Sequence, residues 1–310
     1  MTHSTTARET DFNSANSTVV EGYAAFRSYR TWYRVVGDLD ARQAPLIVVH
    51  GGPAAGHDAL VSYADLAAEG RAVVFYDQLG CGRSTRLPEA DADFWTFALF
   101  LEELANLLAT LGIADNYHLL GHSWGSFVVA EHAATHPAGL SSLVLADSGV
   151  PQEVMAGREQ ARTRLPEDVQ AALRQHEAAG TTDSPEYMQA AQMFYERHLL
   201  RTRPWPDEAM RSLANMQEGM AIITTLTGPD AVTLTGRLRD WNMLDCLRQI
   251  QVPTLCLNGT YEPVAAVLPF LEHIPDVRWA VLPNSSHFPN IEERDLTMRI
   301  VGTFLNLQDN

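Results

Sequence analysis

Gly121-His122-Ser123-Trp124-Gly125 reads G-x-S-x-G, a serine flanked by small residues at the spacing of a nucleophile elbow. The run before it, Asn116 to Leu120, is short and apolar, and Ser126 to His136 carries apolar residues at helical spacing, so the serine falls on a strand-to-helix turn. A hydroxyl raised there, at a helix N-terminus, attacks a carbonyl carbon once a base removes its proton. His287, in Pro283-Asn284-Ser285-Ser286-His287-Phe288-Pro289 just past the last strand-like run, is the candidate base. Two carboxylates compete to orient its imidazole. Glu262 follows the strand-like run Thr254 to Leu257 and is favoured; Asp147, at the tip of the run Ser142 to Ala146, stays open as the alternative. Serine, acid, histidine is the chain order expected of such a triad.

Acyl transfer also needs donors for the charge that develops on the carbonyl oxygen. The apolar run Pro45 to His50 empties into Gly51-Gly52-Pro53, where glycine lets the backbone approach a substrate closely. Gly51 and Gly52 are therefore candidates to lend an N–H, with the N–H of Trp124 as the second donor. Read alone, His-Gly-Gly-Pro is an ordinary strand-to-helix turn; its place ahead of the elbow favours the functional reading.

Other chemistries fare worse. His132 and His136 lie four apart on one predicted helix, but no third ligand and no H-E-x-x-H order accompany them, so no metal is expected. Gly80-Cys81-Gly82 after the run Ala72 to Tyr76 lacks the third glycine and the Lys-Ser/Thr ending of a phosphate loop, and no nucleotide or other cofactor is expected; the loop Asp77 to Ser84 reads as shaping the site. The formal net charge of -16 and pI near 5.0 argue against a nucleic-acid partner. Cys81, Cys246 and Cys256 form an odd set that predicts free thiols and a cytoplasmic protein. No apolar run is long enough to span a membrane, and Met1 to Ser17 is polar, without the apolar core of a signal peptide.

The elements that must position these groups follow from periodicity. With 310 residues and 46% apolar content, the chain suits one α/β domain with an insertion. Thr31 to Val36 reads as the strand that starts the sheet, followed by Pro45 to His50, Ala72 to Tyr76, the elbow strand, Ser142 to Ala146, Pro253 to Leu257 and Val277 to Leu282, with helices over Phe94 to Leu111 and Glu292 to Leu305. Buried apolar strands alternating with helices predict a mostly parallel sheet covered on both faces, with reactive groups at the strands' carboxyl ends. Between Pro151 and about Arg239 the strands stop, and Ala-rich helical stretches punctuated by Pro166, Pro185, Pro204 and Pro206 take over. This predicts a core over 1–150 and 241–310 with a helical cap over 151–240. The cap's Met193, Phe194, Tyr195, Trp205, Met216 and Met220 read more readily as its own core than as a substrate box.

Taken together, His50-Gly51-Gly52-Pro53, Tyr76-Asp77-Gln78-Leu79-Gly80, Gly121 to Gly125, Ser285-Ser286-His287 and the cap phrases Phe194 to His198 and Thr227-Gly228-Pro229 resemble the prolyl aminopeptidase (proline iminopeptidase) family of α/β-hydrolases, in particular its branch of amino-acid amidases. The likeness runs from about Glu21 onward. It implies the α/β-hydrolase fold and a serine hydrolase that opens a small amide bond, in an amino-acid amide or an N-terminal prolyl peptide, through an acyl-enzyme. The implied partner is a small molecule or short peptide. It also implies that glutamates from the cap and from beside the triad acid hold the substrate's free amine: Glu218 matches the cap position by its spacing to Gly228-Pro229, while Pro263 occupies the other. Ala54 stands where the family carries glycine, His122 where glutamine is common, and Glu262 where aspartate is usual. These departures keep two alternatives open: an esterase, lactonase or specialised-metabolite hydrolase on the same triad, and a non-catalytic ligand-binding protein on a hydrolase fold. The oligomeric state is not legible.

Overall fold

The computed structural model describes residues 18–228 and 234–309. Eight strands form one sheet in the order β1-β2-β4-β3-β5-β6-β7-β8: β1 (Val19–Phe26), β2 (Tyr29–Val36), β3 (Leu46–Val49), β4 (Val73–Tyr76), β5 (Tyr117–His122), β6 (Leu140–Ala146), β7 (Thr254–Gly259) and β8 (Val277–Leu282). The first two pairings are antiparallel, β1 with β2 and β2 with β4; every later pairing is parallel. The sheet thus starts one strand earlier than expected, because Thr31 to Val36 lies in its second strand. In β1 only Ala24 and Phe26 are fully buried, so the apolar alternation that announces a strand is nearly absent. The polar stretch Met1 to Ser17 and Pro229 lie outside the described residues.

Strands β3 to β7 are buried on both faces, and their side chains divide between two apolar layers with period two, whereas the edge strand β8 is largely exposed. Ile47, Val49, Val74, Leu119, Leu143 and Leu145 pack on the layer of α1 (Phe97–Thr110) and α2 (Trp124–Ala134). Leu46, Val48, Val73, Phe75, Leu120, Val144 and Leu255 face the 3₁₀ segment Asp58–Glu69 and the final helix. Such a sandwich explains why these strands read as continuous apolar runs.

Between β6 and β7 the described chain contains helices and no strand: α3 (Pro151–Arg162), α4 (Glu167–Ala179), α5 (Pro185–His198), α6 (Asp207–Glu218), α7 (Met220–Leu226) and α8 (Met243–Leu247). Leu165, Val169, Leu173, Tyr187, Ala190, Ala191 and Phe194 bury one another as a separate small core, with Met193 and Tyr195 packed against it. After β7 come α9 (Leu268–His273), β8, then α10 (Pro289–Glu292) and α11 (Arg294–Asn306). The carboxyl ends of β3, β4, β5, β6, β7 and β8 all point to one edge, and there the loops that begin with His50, Asp77, Ser123, Asp147, Thr260 and Pro283 meet.

Candidate active site

Ser123 stands between β5 and α2 with φ 54° and ψ -120°, a strained conformation for a residue with a side chain. Its neighbours explain how the turn closes. A Cβ on Gly121 would collide with the carbonyl of Gly125, and one on Gly125 with the carbonyl of Val49. Both glycines are therefore required by close packing rather than by an unusual φ. The Ser123 N–H donates to the Ala146 carbonyl at 2.9 Å, and the Ser126 N–H to the Ser123 carbonyl at 2.9 Å. The N–H of Trp124, in the first turn of α2, has no partner within the helix.

Gly51 lies directly against the elbow: a Cβ there would sit 2.9 Å from Ser123 Cβ and 3.0 Å from the His122 carbonyl. The structure thus brings the Gly51-Gly52 turn, Ser123 and Trp124 together. Gly52 has φ 119°, and Ala54 has φ 73°. The second value accounts for the family's usual glycine at that position, because the left-handed region strains any residue with a Cβ.

The loop after β8 delivers His287 to the same edge. The His122 Nε2–H donates to the His287 carbonyl at 2.7 Å, and the two rings stand 4.8 Å apart between centroids, with Phe288 stacked on His122 at 4.8 Å. Burial, with His287 adding to it, lowers the His122 pKa to about 3, so this imidazole stays neutral and serves as a strut. From below, Glu292 accepts the Ser286 N–H at 2.7 Å and the Ser286 hydroxyl at 2.9 Å, and Glu293 accepts the Ser285 hydroxyl at 2.6 Å. From the helical segment, the Leu199 carbonyl accepts the His287 N–H at 3.1 Å.

Both carboxylates named in the sequence reach this region. Glu262 Oε2 lies 3.1 Å from Nδ1 of His287, and both side chains are nearly buried, at 7% and 6% exposed. The separation is that of an ion pair, although the ring N–H does not point along it; such contacts commonly tighten only when substrate is bound. Asp147, at φ 49° on the end of β6, instead accepts the Gly259 N–H on Oδ1 at 3.2 Å. Its Oδ2 is buried without a hydrogen bond. Burial first, and Glu262 second, push its pKa well above the usual carboxylate range.

Glu218, at the C-terminal end of α6, is not brought to the histidine. Its side chain is 59% exposed and ion-paired with Arg86. The α6 end does approach the Gly51-Gly52 turn, since Gly219 is packed against Ala54. His132 bonds to the Tyr117 hydroxyl at 2.6 Å, and among the described residues no group of three or more His, Cys, Asp or Glu could hold a metal ion. Cys81, Cys246 and Cys256 are free and buried, and no helix among the described residues is long and apolar enough to cross a membrane.

Sequence reasoning overlooked the strut His122, the glutamates beneath the histidine loop, and Gln78. His122 and Gln78 act through hydrogen bonds to backbone atoms distant in sequence, and the glutamates through bonds set by the path of the histidine loop; spacing carries no trace of these. A Phe97 ring stacked on Trp124 at 5.3 Å, with Trp241 4.7 Å from Phe97, was likewise invisible.

Residues 44–294 match the model of the alpha/beta hydrolase fold family. The proline iminopeptidase of Levilactobacillus brevis is 36% identical over 283 residues, covering 89% of this chain and 92% of its own. That of Thermoplasma volcanium is 32% identical over 289 residues, covering 92% and 96%. Among solved structures, VinJ superposes with a TM-score of 0.91 at 44% identity over 93% of this chain and 99% of its own. The proline iminopeptidase of Mycobacterium smegmatis gives 0.87 at 39% identity, over 94% and 99%. Sequence relatives, family model and backbone agree, and the chain belongs to the proline iminopeptidase family of α/β hydrolases.

Proposed function

We propose that this protein is a serine hydrolase that releases an N-terminal prolyl residue, or opens a small amino-acid amide, through an acyl-enzyme on Ser123. The observation that carries the reading is the convergence of a strained serine, a glycine turn touching it and a carboxylate-paired histidine at one sheet edge. With Nδ1 of His287 facing Glu262, Nε2 is free to take the Ser123 proton as Oγ attacks the carbonyl carbon, and Glu262 stabilises the imidazolium. N–H groups of the Gly51-Gly52 turn and of Trp124 receive the negative oxygen. The imidazolium then protonates the leaving nitrogen, and a water deprotonated by His287 releases the acid. A cytoplasmic location fits the three unpaired thiols.

A second reading, an ester or specialised-metabolite hydrolase, is favoured by the amine-binding positions: Glu218 is occupied by Arg86, and Pro263 replaces its counterpart. Turnover of prolinamide against p-nitrophenyl acetate, each with wild type and Ser123→Ala, tests both. We expect prolinamide turnover that Ser123→Ala reduces by several orders of magnitude. Ester turnover alone would support the second reading. Failure of Ser123 to react with a fluorophosphonate probe, with no turnover of either substrate, would leave only a binding role.

A further inference from the structure

One buried residue touches both donor segments of the oxyanion hole and has no part in the mechanism above. We propose that Gln78 is a positioning residue that ties the Gly51-Gly52 turn to Trp124, so that the two segments form a single rigid unit. The proposal rests on the oxyanion assignment made under the proposed function.

Gln78, in the loop after β4, is 2% exposed. Its backbone N–H donates to His50 Nε2 at 2.9 Å, and its side-chain Nε2–H donates to the His50 carbonyl at 2.9 Å. Its remaining polar atom, Oε1, accepts the indole N–H of Trp124 at 2.9 Å. Because Nε2 of His50 accepts, its proton sits on Nδ1, which donates to the Gly51 carbonyl at 2.9 Å. A continuous chain therefore runs from Gly51 through His50 and Gln78 to Trp124. A primary amide donates to the carbonyl and accepts from the indole at the same place; methionine keeps the bulk and loses both bonds.

The loop is itself anchored. The neighbouring Leu79 N–H donates to Glu103 Oε2 at 3.0 Å, and the Thr31 hydroxyl donates to Oε1 of the same carboxyl. Gly80, with φ 92°, leaves no room for a Cβ between Trp95 and Ile222 of α7, so the helical segment also seats this loop. Oxyanion holes act by being preorganised, and loosening one of them shows in turnover before it shows in substrate binding.

The test compares Gln78→Met, Trp124→Phe (which keeps the backbone N–H) and the double variant on a small amide substrate. We expect Gln78→Met to lower kcat by about 10- to 100-fold with KM within about threefold, as misplacement by about 1 Å does. Trp124→Phe should lose less, and the double variant should be no worse than Gln78→Met, because both remove one shared bond. Unchanged kcat in folded Gln78→Met, or losses that multiply in the double variant, would overturn the proposal. Should Gln78→Met fail to fold, Gln78→Glu replaces it: its carboxylate accepts the indole N–H but cannot donate to the His50 carbonyl, so kcat must fall with KM within about threefold, and an unchanged kcat counts against the proposal. Ser123→Ala probes the underlying reading separately. Full activity there removes the acyl-enzyme reading and this proposal with it, whereas an inactive Ser123→Ala beside a normal Gln78→Met sinks the proposal alone.

Discussion

Glu262 Oε2 stands 3.1 Å from Nδ1 of His287, while the carboxyl of Asp147 is turned to the Gly259 N–H, with its pKa pushed up by burial and by Glu262. The two acids left open by the sequence thus face different partners. A carboxylate stabilises an imidazolium most from close range.

Glu262→Gln should therefore lower kcat by about 10⁴, the scale set by removing the orienting acid of a triad. Asp147→Asn, which keeps an oxygen to accept the Gly259 N–H, should stay within about tenfold of wild type. Steady-state kinetics on both variants, with folding checked by circular dichroism, decide the point. The reverse pattern would make Asp147 the acid.

Glu218 offers a separable expectation. If a substrate ammonium displaces Arg86 from its carboxylate, Glu218→Gln should raise KM for free-amine substrates by about 10- to 100-fold, the value of a charged hydrogen bond, and leave N-acetylated substrates unaffected. Equal effects on both would reduce Glu218 and Arg86 to an exposed ion pair of little consequence.

Glu103 makes stability depend on pH. Burial, and to a lesser degree Asp77, raise its pKa to about 7, against the lowering effect of the Leu79 and Thr31 bonds. The folded protein holds this proton more tightly than the unfolded chain, so the contribution is complete below the unfolded value of 4.5 and is lost as pH rises through about 7. The full span is about 3 kcal/mol. Urea unfolding at pH 5 and pH 8 should show Glu103→Gln gaining on wild type at the higher pH; a constant difference between the two would contradict this.

Ala54 at φ 73° carries a strain that glycine relieves, at about 1–2 kcal/mol, partly offset by the greater freedom of glycine in the unfolded chain, about 0.4–1 kcal/mol. Ala54→Gly should raise Tm by a few degrees in differential scanning calorimetry. A lower Tm would mean that contact with Gly219 outweighs the strain.

Local order alone determined much of this protein. Seven of the eight strands, the elbow and the helical run after β6 were legible because burial on both faces imposes continuous apolar runs on β3 to β7, because β-branched and aromatic residues mark β2 and β8, and because Gly121, Ser123 and Gly125 are close in sequence. The exception, β1, is a half-exposed edge strand whose pairing with β2 rather than its own pattern makes it a strand. The choice between Glu262 and Asp147 depended on tertiary structure, since both acids follow adjacent parallel strands and only the path of each loop sets which oxygen faces Nδ1. The same holds for His122, Gln78 and Glu103. Their roles rest on hydrogen bonds to backbone atoms 24 to 165 residues away, and the folded sheet alone brings those atoms within 3 Å or so of their partners.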